Sequence, residues 1–286
     1  MDGLAATLGF ALMSVPRVVS GGFYASDRRP VRFGAELCRS CLALDTADWL
    51  ARSPLTGHGL NNLTVGGTLT WRDPRRKVFI DGRNEVTGET FYGVYQRAMD
   101  PLYWEQTQRL FALEYVVLAH RGDVRAMALA SFLQADPDWR LAHLDGSGVV
   151  YVRVDGPNGG TPAARLPDLL RQGEREHLLA GVSVEASRSA RLRRWMWSTE
   201  PPPGALHGLG GFLLAIDRLE AAERPLLAAA AAHPGFWEPH LDLGVLYQRR
   251  GLGGLALQSF RNAHALAPDH PELSALTNTP ARQSRP

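Results

Sequence analysis

Residues 76–92 read RKVFIDGRNEVTGETFY. Lys77-Val78-Phe79-Ile80 is a short apolar run with β-branched and aromatic members, which predicts a buried strand over 77–81. Asp81-Gly82 breaks it, and Arg83 opens a polar turn into a segment whose Phe91, Val94 and Tyr95 have helical spacing. A strand ending in Asp-Gly-Arg has two readings. Open α/β sheets bind ligands at the carboxyl edge, which makes Asp81, Arg83 and Glu85 a candidate ligand corner. In the other reading Asp81 accepts from backbone amides and Arg83 pairs with it. Three residues make no catalytic set, and the structural reading is the one adopted.

The flanks of this stretch set the class of domain. Upstream, residues 42–51 have helical spacing (Leu44, Ala47, Leu50), with Asp45 and Asp48 on the polar side. Residues 60–62 suit a short strand, and 66–71 a short helix or turn before the Asp73-Pro74 breaker. Downstream, 88–98 and 101–113 read as helices separated by Asp100-Pro101. Residues 115–119 are another buried-strand run, Asp123 caps a helix through Phe132, and Asp136-Pro137-Asp138 ends it. Residues 139–144 and 149–154 then form a hairpin about Asp145-Gly146-Ser147-Gly148. Helices alternating with strands and closing on a hairpin predict an α/β mixed-sheet domain over 33–155. The Pro/Gly-rich 156–162 marks its end. Residues 156–202 form a linker with helices, rich in Arg over 165–197 and closed by Pro201-Pro202-Pro203.

The most specific pattern lies near the carboxyl end. Residues 237–268 carry Leu243-Gly244, Tyr247, Gly251, Ala256, Phe260, Ala263 and Pro268. This is the tetratricopeptide pattern of two packed helices, in which a small residue lets the helices approach and aromatics fill the seam. A step back by the repeat's period of about 34 residues lands on Leu209-Gly210, Leu213, Ala222, Leu226, Ala229 and Pro234. Residues 203–236 and 237–270 therefore read as two tandem repeats in an all-α array, followed by a cap and tail over 271–286. In the first repeat Leu213 and Leu226 replace the aromatics, and Pro225 is expected to disturb the second helix. Two repeats are fewer than the three or so that stand alone, so docking on 165–197 is expected. The array's concave face is assigned to His207, Glu238, Leu241, Val245, Gln248 and Arg249. It either binds a protein partner or packs within its own chain.

Composition excludes more than it selects. The chain has 286 residues, a formal net charge of +2 and a pI near 8.7. Without a continuous basic stripe, this gives no reason to expect a nucleic-acid partner. Lys77 is the only lysine, as expected from a GC-rich genome. Residues 4–15 are apolar but too short to span a bilayer, which takes about 20 residues. Residues 1–32 are either a frayed or packed segment, or the remnant of a membrane helix that provides membrane association. Cys38 and Cys41 form a lone CxxC; a packed pair, a local disulfide, and metal or redox chemistry all stay open. No Walker loop, GxGxxG with its acidic partner, HExxH, GxSxG or kinase set occurs. No catalytic residue, cofactor or metal is therefore assigned.

The order of features also resembles a known family. Arg32-Phe33-Gly34, then Gly66-Gly67-x-Leu69-x-Trp71, then Lys77-Val78-Phe79-Ile80-Asp81-Gly82-Arg83 carry the likeness. It continues through Trp104, Leu110, Tyr115-Val116-Val117-Leu118, Asp138-Trp139-Arg140-Leu141 and Val149-Val150-Tyr151-Val152-Arg153. Together they resemble the extracytoplasmic C-terminal region of bacterial polytopic membrane proteins similar to GT-C-class glycosyltransferases, some of which carry tetratricopeptide repeats afterwards. The resemblance covers about residues 30–155. It implies a non-catalytic accessory module at the periplasmic face of the inner membrane. The family's transmembrane helices and its acidic residue in the first external loop have no counterpart in these residues, so no active site is carried over. Two alternatives follow from the residues themselves: a free-standing cytoplasmic tetratricopeptide scaffold for a protein partner, and a small enzyme using the corner at Asp81 and Arg83.

Overall fold

The computed structural model describes residues 39–120, 124–164, 204–232 and 236–268, with 270, 273 and 276. The readings for 1–32, Cys38, Asp123, 165–203 and most of 271–286 lie outside them. The elements are α1 (Leu44–Arg52), β1 (His58–Asn61), α2 (Leu63–Arg72), α3 (Asn84–Ala98), α4 (Trp104–Phe111), β2 (Leu113–Ala119), α5 (Val124–Ala135), β3 (Trp139–Leu144) and β4 (Gly148–Arg153). Four further helices follow: α6 (Gly204–Ala215), α7 (Leu219–Ala232), α8 (Glu238–Arg249) and α9 (Gly253–Leu266). The chain is a mixed α/β protein with an appended helical part.

The sheet runs in the order β1-β2-β4-β3, with β1 parallel to β2 and the other pairs antiparallel. Its side chains alternate between two cores, as the period of two requires. Val116, Leu118, Val149 and Tyr151 face α3, α5 and the helical part. Tyr115, Val117, Val150 and Val152 face α1 and α2, against Ala47, Leu50, Val65 and Leu69. Burial on both faces explains why residues 115–119 of β2 read as an unbroken apolar run.

The expected strand over 77–81 is not formed. Its backbone groups go to a side chain instead of a ladder: the Phe79 N–H donates to Asn61 Oδ1 at 2.8 Å, and Asn61 Nδ2 donates to the Ile80 carbonyl at 2.8 Å. An amide interposed in this way holds the segment one side-chain length from β1, too far for main-chain pairing. The apolar run is still buried, with Ile80 in the core and Phe79 against Phe91 and Phe111. Gly66 on α2 makes this possible, since a Cβ there would lie 1.9 Å from the Ile80 carbonyl oxygen. Helix α3 begins at Asn84, before the expected 88, and breaks at Gly88, whose φ of 68° favours glycine.

In the helical part α6 packs on α7, α7 on α8 and α8 on α9. The turns inside the two hairpins are alike. Arg218 N–H donates to Leu213 O at 2.8 Å and Asp217 N–H to Leu214 O at 3.2 Å; Leu252 N–H donates to Tyr247 O at 2.8 Å and Gly251 N–H to Gln248 O at 3.1 Å. Both are Schellman endings around a left-handed residue, Asp217 (φ 60°) and Gly251 (φ 75°). The expected disturbance at Pro225 is absent: α7 runs through it from Leu219 to Ala232. The lost N–H there is offset by fully buried Ala222 and Leu226 on either side. The first hairpin docks on the α/β part through α6. Ser131 Oγ on α5 donates to Ala215 O at 2.7 Å, and the Phe212 ring packs at a tilt against His120, just after β2, with centroids 5.1 Å apart.

Candidate functional site

The sequence-assigned corner is brought together around Asp81, which is 8% exposed. Arg83 donates to Asp81 Oδ2 from Nε at 2.8 Å and from Nη2 at 2.6 Å, and its own N–H donates to Oδ1 at 3.1 Å. The bond from the Arg83 guanidinium holds the Asp81 carboxyl below its ordinary range, against the opposing effect of burial. Both carboxylate oxygens are thus engaged by one residue. The side chain of Glu85 lies outside the described residues; its backbone is in the first turn of α3.

Of the six residues assigned to the array's face, Gln248 and Arg249 are exposed and the other four are partly buried. His207 Nε2 and Asp242 Oδ2, 2.9 Å apart, link α6 to α8. Arg249 Nη1 donates to Leu214 O at the end of α6 at 2.9 Å. Leu241 and Val245 are partly buried against the core. Glu238 sits in the first turn of α8, half-buried, while Gln248 is exposed. Two of the six, His207 and Arg249, therefore bond one hairpin to the other.

Two further places were not found from the sequence. At the β3–β4 turn, Asp145 accepts from Ser147 N–H and Oγ, both at 2.6 Å, from Gly148 N–H at 3.0 Å and from Thr46 Oγ1 at 3.0 Å, and it pairs with His143 Nε2 at 2.8 Å. Burial works to raise its pKa, yet the bonds from His143 and Ser147 hold it at about 2. Ser147 is 1% exposed and donates to the aspartate, not to an imidazole, so this Ser/His/Asp set locks a turn and provides no activated nucleophile. His120 belongs to the same knot: its Nε2 lies 2.8 Å from the Asp145 carbonyl oxygen, and its N–H donates to Ser147 O at 3.0 Å. Cys41 is disulfide-bonded, and Cys38 lies outside the described residues.

The second place is a cleft of about 750 Å³ beside β1, bounded by residues 55–59, 73–79 and Phe111, Leu113 and Tyr115. The Tyr115 ring lies across Gly59, where a Cβ would come within 2.2 Å of it. Arg76 is pinned there, donating to Leu55 O at 3.0 Å, Leu50 O at 3.2 Å and Tyr115 Oη at 3.4 Å. The Arg75-Arg76-Lys77 run was the available signal. Reading 77–81 as a ladder strand concealed it, because a strand would have sent alternate residues into the core.

Comparison with protein-family models, curated proteins and solved structures finds no match for this chain. Among the described residues no helix is long and apolar enough to cross a membrane.

Proposed function

We propose that the chain is a non-catalytic interaction module in which an α/β domain carries two tetratricopeptide repeats. The observation that carries this reading is a seam used twice. A Cβ on Gly210 would lie 2.6 Å from the Leu226 side chain, and a Cβ on Gly244 would lie 2.3 Å from the Phe260 ring. The two pairs are one repeat length apart in sequence, as are the left-handed residues Asp217 and Gly251. Close approach at a small residue, with a large side chain filling the seam, is the physical content of the repeat. The closed Asp81–Arg83 pair supports a structural corner over the enzyme reading, since a carboxylate already bonded through both oxygens is poorly placed to take a proton.

The reading extends to a relationship with the extracytoplasmic region of bacterial glycosyltransferase-like membrane proteins. It is supported by the meeting of the two motifs that carry the likeness, Gly66-Gly67-x-Leu69-x-Trp71 and Phe79-Ile80-Asp81-Gly82-Arg83, where Gly66 abuts Ile80. A photocrosslinking residue at the exposed Gln248, in the full chain expressed in a bacterial host, tests the module. Light-dependent protein adducts from Gln248 that vanish in Gly244→Leu are the expected result. Adducts equally frequent from the exposed Leu102, on the other part of the molecule, would contradict it.

A further inference from the structure

We propose that the cleft beside β1 binds a small amphipathic anion: an apolar body carrying one carboxylate or phosphate. This proposal is independent of the repeats. The cleft has the size at which small ligands are held, roughly 300–1,000 Å³. Its apolar surface comes from the half-buried Val78, Phe79 and Phe111, with the buried Leu55, Leu113 and Tyr115 behind them.

The charge at its mouth is one-sided. Arg75, Lys77 and Asp73 line the cleft near the surface, two exposed cations against one carboxylate, with the largely buried Arg76 guanidinium behind them. Asp73 is shared, lying 3.5 Å from Arg75 Nε and 3.6 Å from Arg76 Nε. Arg76 spends its other nitrogens on the carbonyls of Leu50 and Leu55, fixing the floor of the cleft. Arg75 has a side chain 94% exposed, and Lys77 is exposed as well. These two can therefore close on an incoming anion without breaking a buried contact. An anionic head alone would gain little from exposed cations in water. An apolar body alone would leave the cationic rim unused. The arrangement favours a ligand that has both.

Calorimetric titration of the full chain tests this with four probes: octyl phosphate, octanoate, octanol and inorganic phosphate. Saturable binding of one or both amphipathic anions is expected, at least tenfold tighter than octanol or inorganic phosphate; which of the two binds identifies the head group. Lys77→Gln and Arg75→Gln should each weaken that binding about threefold to tenfold. Thr56→Trp should block the mouth. Thr56 is exposed and is held through its backbone, with its N–H donating to Asn158 Oδ1 and its carbonyl accepting from Asn158 Nδ2, so this change leaves the fold's bonds in place. Absence of saturable binding by either anion overturns the proposal. So does octanol or inorganic phosphate binding as tightly as the anions, or unchanged affinity in all three variants while their thermal melts match the parent.

Discussion

Acidification below the ordinary histidine range should weaken the fold through His120. The ring is 9% exposed and lies between the β3–β4 turn and α6. Nε2 meets the Asp145 carbonyl, and Nδ1 is enclosed without a partner among the described residues. A Cβ on Gly208 of α6 would come within 3.2 Å of its Cβ. Burial lowers its pKa from the ordinary 6.5, against the raising effect of the Asp145 carbonyl; the neighbouring His143 lowers it further. Because the folded value is depressed, both states are neutral well above pH 6.5 and no stability is at stake there. As the pH falls below 6.5, the unfolded chain takes up a proton that the folded chain refuses. Stability then drops at up to about 1.4 kcal/mol per pH unit until the folded value is reached. Between pH 7.5 and 5.0 the loss is at most about 2 kcal/mol. Asp145, held at about 2, loses its contribution only below the ordinary carboxylate range, outside this window. Urea unfolding of the parent and His120→Gln at several pH values isolates the effect, since the glutamine keeps a donor but does not titrate. The parent's midpoint should fall more steeply with acid than the variant's. Parallel pH profiles would refute the reasoning.

Asp81→Asn keeps the shape of the corner, whereas Asp81→Ala removes both the acceptor of the Arg83 amide and the partner of its guanidinium; thermal melts should rank Ala as the worse. Gly66→Ala should be among the most damaging small changes, because its Cβ meets main chain at 1.9 Å and the backbone has little room to move; chemical denaturation should register a loss of about 3 kcal/mol or more. Asp217→Gly relieves a non-glycine residue at φ 60°, as Gly251 does in the second hairpin. It should raise stability by about 0.5–1 kcal/mol in the same assay, and a loss would contradict the turn assignment.

The parts of the fold read correctly from the sequence are those in which local pattern and burial agree. Residues 115–119 and the 139–154 hairpin are strands because their side chains fill cores on both faces, and the Asp-Gly-Ser-Gly turn between them contains its own acceptors. The run Val78-Phe79-Ile80 misled because burial alone does not make a strand. What decides is where the backbone bonds go, and a single side chain 18 positions earlier, Asn61, takes them. Pro225 misled in the opposite sense, since packing at Ala222 and Leu226 overrides a missing N–H. The Asp81–Arg83 pair was legible, being local. The cleft and the His120 knot were not: they bring together residues as far apart as Thr46 and Ser147, and no spacing rule spans that distance.

Double-mutant cycles at the two helix seams test the repeat assignment most directly. In each, a methyl is added at the glycine and the facing side chain is cut back: Gly210→Ala with Leu226→Ala, and Gly244→Ala with Phe260→Ala. Added alone, the methyl collides with the facing side chain; added beside the truncated partner, it fills space that truncation opened. Urea unfolding of the full chain should therefore give a favourable coupling of about 1 kcal/mol or more, of the same sign, at both seams. Additive losses at either seam would contradict the claim that residues 203–236 and 237–270 are two copies of one packed unit.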